Sequence, residues 1–383
     1  MKWKKERKHS IMCRFLCKFA VSKQEIMTTE ELTQEAVSLL QRLIATPSVS
    51  RDEGKAADIM QEAMESYGFT PTRVGNNLWI KSEDWSDNRP TLLLNAHIDT
   101  VKPVASWTRD PFAPTIEGDT LYGLGSNDCG GGLVSLLQVF RELVNSKKSL
   151  PYNLVYLASC EEEVSGVNGI RNVIDKLPKI DVAIVGEPTG MQPAVAEKGL
   201  MVIDMTAHGK SGHAARGEGI NAIYEALDDM CWIRNYKYQK VSDFLGPTVM
   251  NLTVVNSGTQ HNVIPDECKM IVDVRTNENY DNEEVFRFID EHTKSDCKAR
   301  SYHLRSSKIS LDHPLVKRCV AMGKKPFGSP TLSDQALMPW ESFKLGPGES
   351  SRSHSADEFI RISEIRDAIE TYIHLIADQF NKW

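Results

Sequence analysis

The sequence predicts an α/β fold: a helix-covered mixed sheet with a smaller ferredoxin-like βαββαβ unit inserted into it. Three observations predict it. Short, nearly continuous aliphatic runs at 91–97, 153–159 and 181–187 read as strands buried on both faces. Segments before and between these runs carry apolar residues at helical spacing. In the middle of the chain the order becomes β-α-β-β-α-β, which can stand as a small domain of its own.

The first helix is "TTEELTQEAVSLLQRLI": Thr28 and Glu31 have capping-box spacing, and Ala36, Leu39, Leu40 and Leu43 form one face. "GKAADIMQEAMESYG" repeats the pattern with Ala56, Met60, Ala63, Met64 and Tyr67, and Gly68 suits its C-terminal cap. The strands "TLLLNAH", "NLVYLAS" and "DVAIVGE" follow, and between the first two "GGGLVSLLQVFRELV" puts Leu133, Leu136, Leu137, Phe140 and Val144 on one helical face. The inserted unit reads as strand 201–208, helix 220–233, strands 249–256 and 268–277, helix 282–294 and strand 299–305. "HPLVKRCVAM" and "SEIRDAIETYIHLIADQF" return to helical spacing. The expected division is a discontinuous catalytic domain, 27–198 plus 308–383, and an inserted lid or dimerisation domain, 199–307.

Charge separates one further piece. Residues 1–26 hold eight basic and two acidic side chains, a formal +6, so the rest of a chain of net −7 carries −13. An acidic body excludes nucleic acid as the expected partner and suits cations. The first 26 residues are expected to be a disordered basic extension ahead of Met27. No stretch reaches the roughly 20 apolar residues of a membrane helix. The eight cysteines are scattered without a C-x-x-C pair, the usage of reduced thiols in a cytoplasm.

Polar residues fall where such a sheet binds ligands, beyond the carboxyl ends of its strands. His97 ends the first strand, Glu163 follows the second and Glu187 the third. Asp128 lies in the glycine-rich loop "LYGLGSNDCGGG", and His354 in "GPGESSRSHSADEF". Taken singly, a strand-end histidine is ordinarily a structural hydrogen-bonding group and Asp128 a helix cap. Together on one edge they point to a site. His97 and Asp99 are two apart, so in an extended segment they share a side, and Asp99 is placed to accept the second imidazole N–H. Imidazole with carboxylate suits zinc, and cobalt or manganese also accept such sites.

These segments resemble the dinuclear zinc amidohydrolases that include acetylornithine deacetylase, succinyl-diaminopimelate desuccinylase, aminoacylase-1 and glutamate carboxypeptidases. The resemblance runs from about Met27 to Trp383 and rests on "NAHIDTV", "YGLGSNDCGGG", "EEEVSGVNG", "GEPT" and "SRSHSADEF", five motifs in the family's order. It implies two divalent metals bridged by Asp128, one completed by His97 and Glu187, the other by Glu163 and His354. Glu162 would be the general base and Asp99 the partner of His97. "GKSGHAARGEGINAI" is similar to the motif whose histidine, here His213, enters the neighbouring subunit's site in dimeric members. "HNVIPDECKMIVDVR" is similar to the segment that grips the substrate carboxylate, here through Asn262 and Arg275, and Gly346 and Gly348 of "LGPG" match the turn beside the site.

The implied activity is hydrolysis of an N-acyl amino acid, N-acetyl- or N-succinyl-ornithine or the citrulline equivalent in arginine biosynthesis, by a cytoplasmic homodimer. A dipeptidase or general aminoacylase is the close alternative, and a non-catalytic binding protein of the same fold the remote one. Three positions depart from the pattern: Leu124 and Gly130 stand where the family usually has Arg and Lys, and Glu161 where it has Asp.

Overall fold

The computed structural model describes residues 27–146 and 150–377; the basic extension lies outside them. Its central sheet runs, edge to edge, through Thr72–Val74, Asn77–Lys81, Asn153–Ser159, Thr91–His97, Val182–Val185, Glu341–Lys344, Ala194–Glu197 and Ser307–Lys308, with Phe327–Ser329 also on Ala194–Glu197. The four middle strands, from Asn153–Ser159 to Glu341–Lys344, are mutually parallel. Their carboxyl ends therefore share one edge, and the loops that follow meet there.

Alternation along the strands explains the layers. Leu92, Leu94, Leu154, Tyr156 and Ile184 point into a core with helices Thr29–Ile44, Gly131–Asn145 and Ile362–Ala377. Leu93, Val155, Leu157 and Ala183 point the other way, onto Ile170, Val173 and Leu177 of short turns. Both faces are covered, which is why these strands read as unbroken aliphatic runs. The Thr28–Glu31 capping box forms as expected.

The inserted unit has its own core, built on Met201, Ile203, Met205, Val272, Val274, Val285 and Ile289. Strands Val249–Ser257, Glu267–Arg275, Met201–His208 and Asp296–Ala299 pair antiparallel in that order, with helices Ala222–Asn235 and Asn282–His292, the topology of a ferredoxin-like unit. The chain leaves the large sheet after Ala194–Glu197 and returns as Ser307–Lys308, which pairs with it. The last strand differs from expectation: it is Asp296–Ala299, not 299–305. The carbonyls of Tyr302 and Leu304 are instead taken by the Asn282 amide, and Leu304 also accepts the Leu200 N–H. Those bonds carry the segment out of the ladder and back towards the large sheet.

Candidate metal centre

The strand Thr91–His97 delivers His97 to the carboxyl edge, fully buried. Its Nδ1 lies 2.8 Å from the backbone carbonyl of Asp99 and 3.7 Å from the carboxylate. Asp99 is thus the expected partner through a different atom. A carbonyl only accepts, so Nδ1 carries the proton and Nε2 offers its lone pair to the site. The Asp99 carboxylate instead accepts the Ser50 hydroxyl (2.7 Å) and the N–H groups of Glu162 (3.1 Å) and Glu163 (3.2 Å). It anchors the acidic turn rather than the imidazole.

Around His97 Nε2 stand Asp128 Oδ1 at 3.3 Å, Glu187 Oε1 at 3.6 Å and Glu162 Oε2 at 3.9 Å. The other oxygen of Asp128 faces His354 Nε2 at 3.6 Å, and Glu163 Oε2 lies 2.9 Å from the same nitrogen. Asp128 therefore sits between two donor groups, His97 with Glu187 and His354 with Glu163. Among the described residues, His97, Asp128 and Glu163 have donor atoms close enough to share an ion. Glu187 Oε1 is buried without a hydrogen-bond partner, the signature of an oxygen that awaits a cation.

Burial, then the Asp128 carboxylate, pushes Glu187 up to about 8. Burial pushes Glu162 well above the carboxylate range too, with Glu187, Asp334 and Glu163 adding to it. His354 is raised to about 9 by its hydrogen bond to Glu163. Two dications would replace the protons that such a cluster otherwise holds, and imidazole with carboxylate is the donor set they need.

The structure brings His97, Asp99, Asp128, Glu162, Glu163, Glu187 and His354 together. Gly346 and Gly348 lie beside them. A Cβ on Gly346 would stand 2.4 Å from the carbonyl oxygens of both Gly186 and Glu187, so only glycine lets the turn close on Glu187. Gly348, at φ +79°, leaves room for Asn127 Oδ1. His213, Asn262 and Arg275 do not join the cluster within this chain. His213 and Asn262 adjoin one another on an exposed two-stranded turn, where the Ala214 N–H donates to the Asn262 carbonyl. Arg275 is paired with Asp273 at 2.8 and 3.1 Å.

The three departures have local explanations. Glu161 turns away and accepts the Asn168 N–H and side-chain amide at 3.3 and 2.8 Å. A Cβ on Gly130 would meet the Gly125 carbonyl oxygen at 2.3 Å, so no lysine fits this packing. Leu124 is a buried core residue.

Three buried residues escaped the sequence reading. Glu358, 2% exposed, accepts the N–H groups of Gly125 (3.2 Å), Asn127 (2.8 Å) and Asp128 (2.9 Å), and so shapes the Asp128 loop. Asp334 accepts the Ser159 hydroxyl at 2.6 Å. Lys344 pairs with Glu197 at 3.1 Å and donates to the Thr331 carbonyl at 3.0 Å. Glu358 lies inside the "SHSADEF" segment and Lys344 directly before "LGPG", which was the available signal. Lys344, Ser329 and Thr331 line a cavity of about 210 Å³ that opens onto Glu162 and Glu187.

A parallel sheet that gathers imidazoles, carboxylates and a buried, proton-holding glutamate at one edge defines a metal-dependent hydrolase. The profile of peptidase family M20/M25/M40 matches residues 93–378. The chain belongs to that family and is a metal amidohydrolase. It is 29% identical to acetylornithine deacetylase of Proteus mirabilis, over 89% of this chain and 96% of that protein. It is 28% identical to succinyl-diaminopimelate desuccinylase of Corynebacterium glutamicum, over 88% and 95%. The fold is similar to that of aminopeptidase PepT from Bacillus cereus (TM-score 0.73, 17% identity, 92% of this chain and 99% of that one). It is also similar to that of a dinuclear metal-binding peptidase of the M20 family from Bacillus subtilis (TM-score 0.70, 17%, 91% and 98%).

Proposed function

We propose that the chain hydrolyses the amide of an N-acyl amino acid, N-acetyl- or N-succinyl-ornithine or the citrulline equivalent, as a step of arginine biosynthesis. The observation that carries the hydrolytic reading is Asp128, with one oxygen turned to His97 and the other to His354, beside an orphaned Glu187 oxygen; the similarity to acetylornithine deacetylase supports the choice of substrate. His97 and Glu187 would hold one cation and Glu163 and His354 the other, with Asp128 between them. Zinc suits these donors, and cobalt or manganese would substitute.

When bound, the cations supply Lewis acidity to the attacking water and to the amide carbonyl. Glu162 takes the water proton and delivers it to the departing nitrogen as the C–N bond breaks. Its raised proton affinity suits both transfers, since it must accept a proton and hold it until the amine leaves. Lys344 closes the cavity wall through Thr331. Arg275, once released from Asp273, offers a two-pronged match to the substrate α-carboxylate. A panel of N-acetyl-ornithine, N-succinyl-ornithine, N-acetyl-citrulline and dipeptides tests the assignment. Turnover of an acyl-ornithine or acyl-citrulline above every dipeptide is expected, and turnover of dipeptides alone would replace it with a dipeptidase.

His213 would reach the site of a second copy, where it donates to the oxyanion. The reading is supported by apolar side chains left exposed on the same unit: Ile223, Tyr224 and Leu227 on one helix, and Val254 and Val255 on the edge strand Val249–Ser257. An unpaired edge beside an apolar helix face is what a partner copy covers. Light scattering should give a dimer mass, and His213→Ala should lower kcat about 10²–10³-fold with metal content unchanged. Full activity of that variant would remove the role. The six described cysteines are free thiols, which supports the cytoplasmic assignment.

A further inference from the structure

A second cavity, about 590 Å³, shares no residue with the one at the metal edge. It lies where the inserted unit rejoins the large sheet, between the segment 303–308, the short turns Ile170–Asn172 and Ile174–Lys176, and the stretch 335–341. Three cationic side chains from two separate segments line it: Arg171, Arg305 and Lys308. None is satisfied at close range. Arg305 is 3.6 Å from Asp281, Lys308 is 3.8 Å from Glu278, and Arg171 has no ion-pair partner among the described residues. In a chain of net −7, three loosely paired cations around one cavity call for an external anion.

A bare anion would leave the rest of the lining unanswered. Asp175 and Glu341 add carboxylates to the same lining. The cavity thus joins three cationic donors to two carboxylates. That pattern is complementary to a molecule carrying both a carboxylate and an ammonium group.

We propose that this junction cavity binds a free amino acid, its carboxylate on Arg171, Arg305 and Lys308 and its ammonium on Asp175 and Glu341. Binding here is independent of which amide the metal edge hydrolyses. The cavity is nonetheless linked to that edge, because the turn Asp334–Leu337 places Gln335 in one and Asp334 against Ser159 beneath the other.

Titration calorimetry on the intact, metal-loaded protein with L-ornithine, L-glutamate and inorganic phosphate tests it. An amino acid released by catalysis also visits the metal edge, so Glu187→Gln is measured in parallel. Saturable binding of at least one of the two amino acids should survive Glu187→Gln. It should weaken about tenfold or more in Arg171→Ala and again in Arg305→Ala, each of which removes a charged hydrogen bond from an exposed, fold-neutral position. Absence of saturable amino-acid binding, its loss in Glu187→Gln alone, or its indifference to both arginine substitutions would overturn the proposal. So would phosphate binding as tightly as the amino acids.

Discussion

Glu162→Gln is expected to lower kcat by about 10²–10⁴ while metal content and substrate KM stay near those of the parent protein. The amide fills the same space and can still donate or accept a hydrogen bond, so the loss isolates proton transfer. Glu162 lies 3.9 Å from His97 Nε2, close to the donor cluster yet outside the two donor groups that flank Asp128. Its backbone N–H remains tied to Asp99, which keeps the turn in place in the variant. At 1.36 kcal/mol per tenfold, the effect corresponds to about 3–5 kcal/mol of lost transition-state stabilisation. A variant equal in kcat to the parent, with its metals bound, would remove Glu162 as the base. A variant that loses metal would make it a ligand.

The metal-free protein should become less stable as pH rises from about 5 to about 8, and cation loading should reverse that slope. In the metal-free fold Glu187 is raised to about 8, Glu358 to about 7 and Asp334 to about 6, each chiefly by burial. A carboxyl raised in the folded state binds more protons there than in the unfolded chain. Its stabilising effect is complete below the unfolded value and is lost as pH climbs through the folded one. His354, raised to about 9 by Glu163, runs in the same direction. Glu187 alone represents a few kcal/mol across that window. Cations displace these protons and bind the ionised groups, so the loaded protein loses stability as pH falls. Thermal unfolding at several pH values, with and without chelator, reads both slopes, and Glu187→Gln should flatten the chelated one. Chelated protein that gained stability towards pH 8 would show that these carboxyls are ionised in the empty fold.

Local pattern alone carried much of the molecule. The strands Thr91–His97, Asn153–Ser159 and Met201–His208 coincide with the runs expected from their aliphatic content. They were legible because both faces, or one face in strict alternation, meet a core, and burial writes itself into consecutive residues. His97, Glu163 and Glu187 were legible for a related reason: each ends or follows a buried strand, where a polar residue stands out. The strand Glu341–Lys344 was not legible. It begins and ends in a charge, and Lys344 is tolerated at 1% exposure because Glu197 on the adjoining strand meets it.

The sequence by itself determined the fold class, the edge on which the site lies and the donor residues gathered there. Only the tertiary structure decided which atoms serve them. It directed the His97 Nδ1–H at the Asp99 carbonyl, turned the buried Glu161 onto Asn168, and set Glu358 on three N–H groups of the Asp128 loop. The physical reason is range. Periodicity and strand ends record burial within a few residues, whereas a buried charge is stabilised by whichever distant segment folding brings against it, and that partner leaves no mark in the neighbouring sequence.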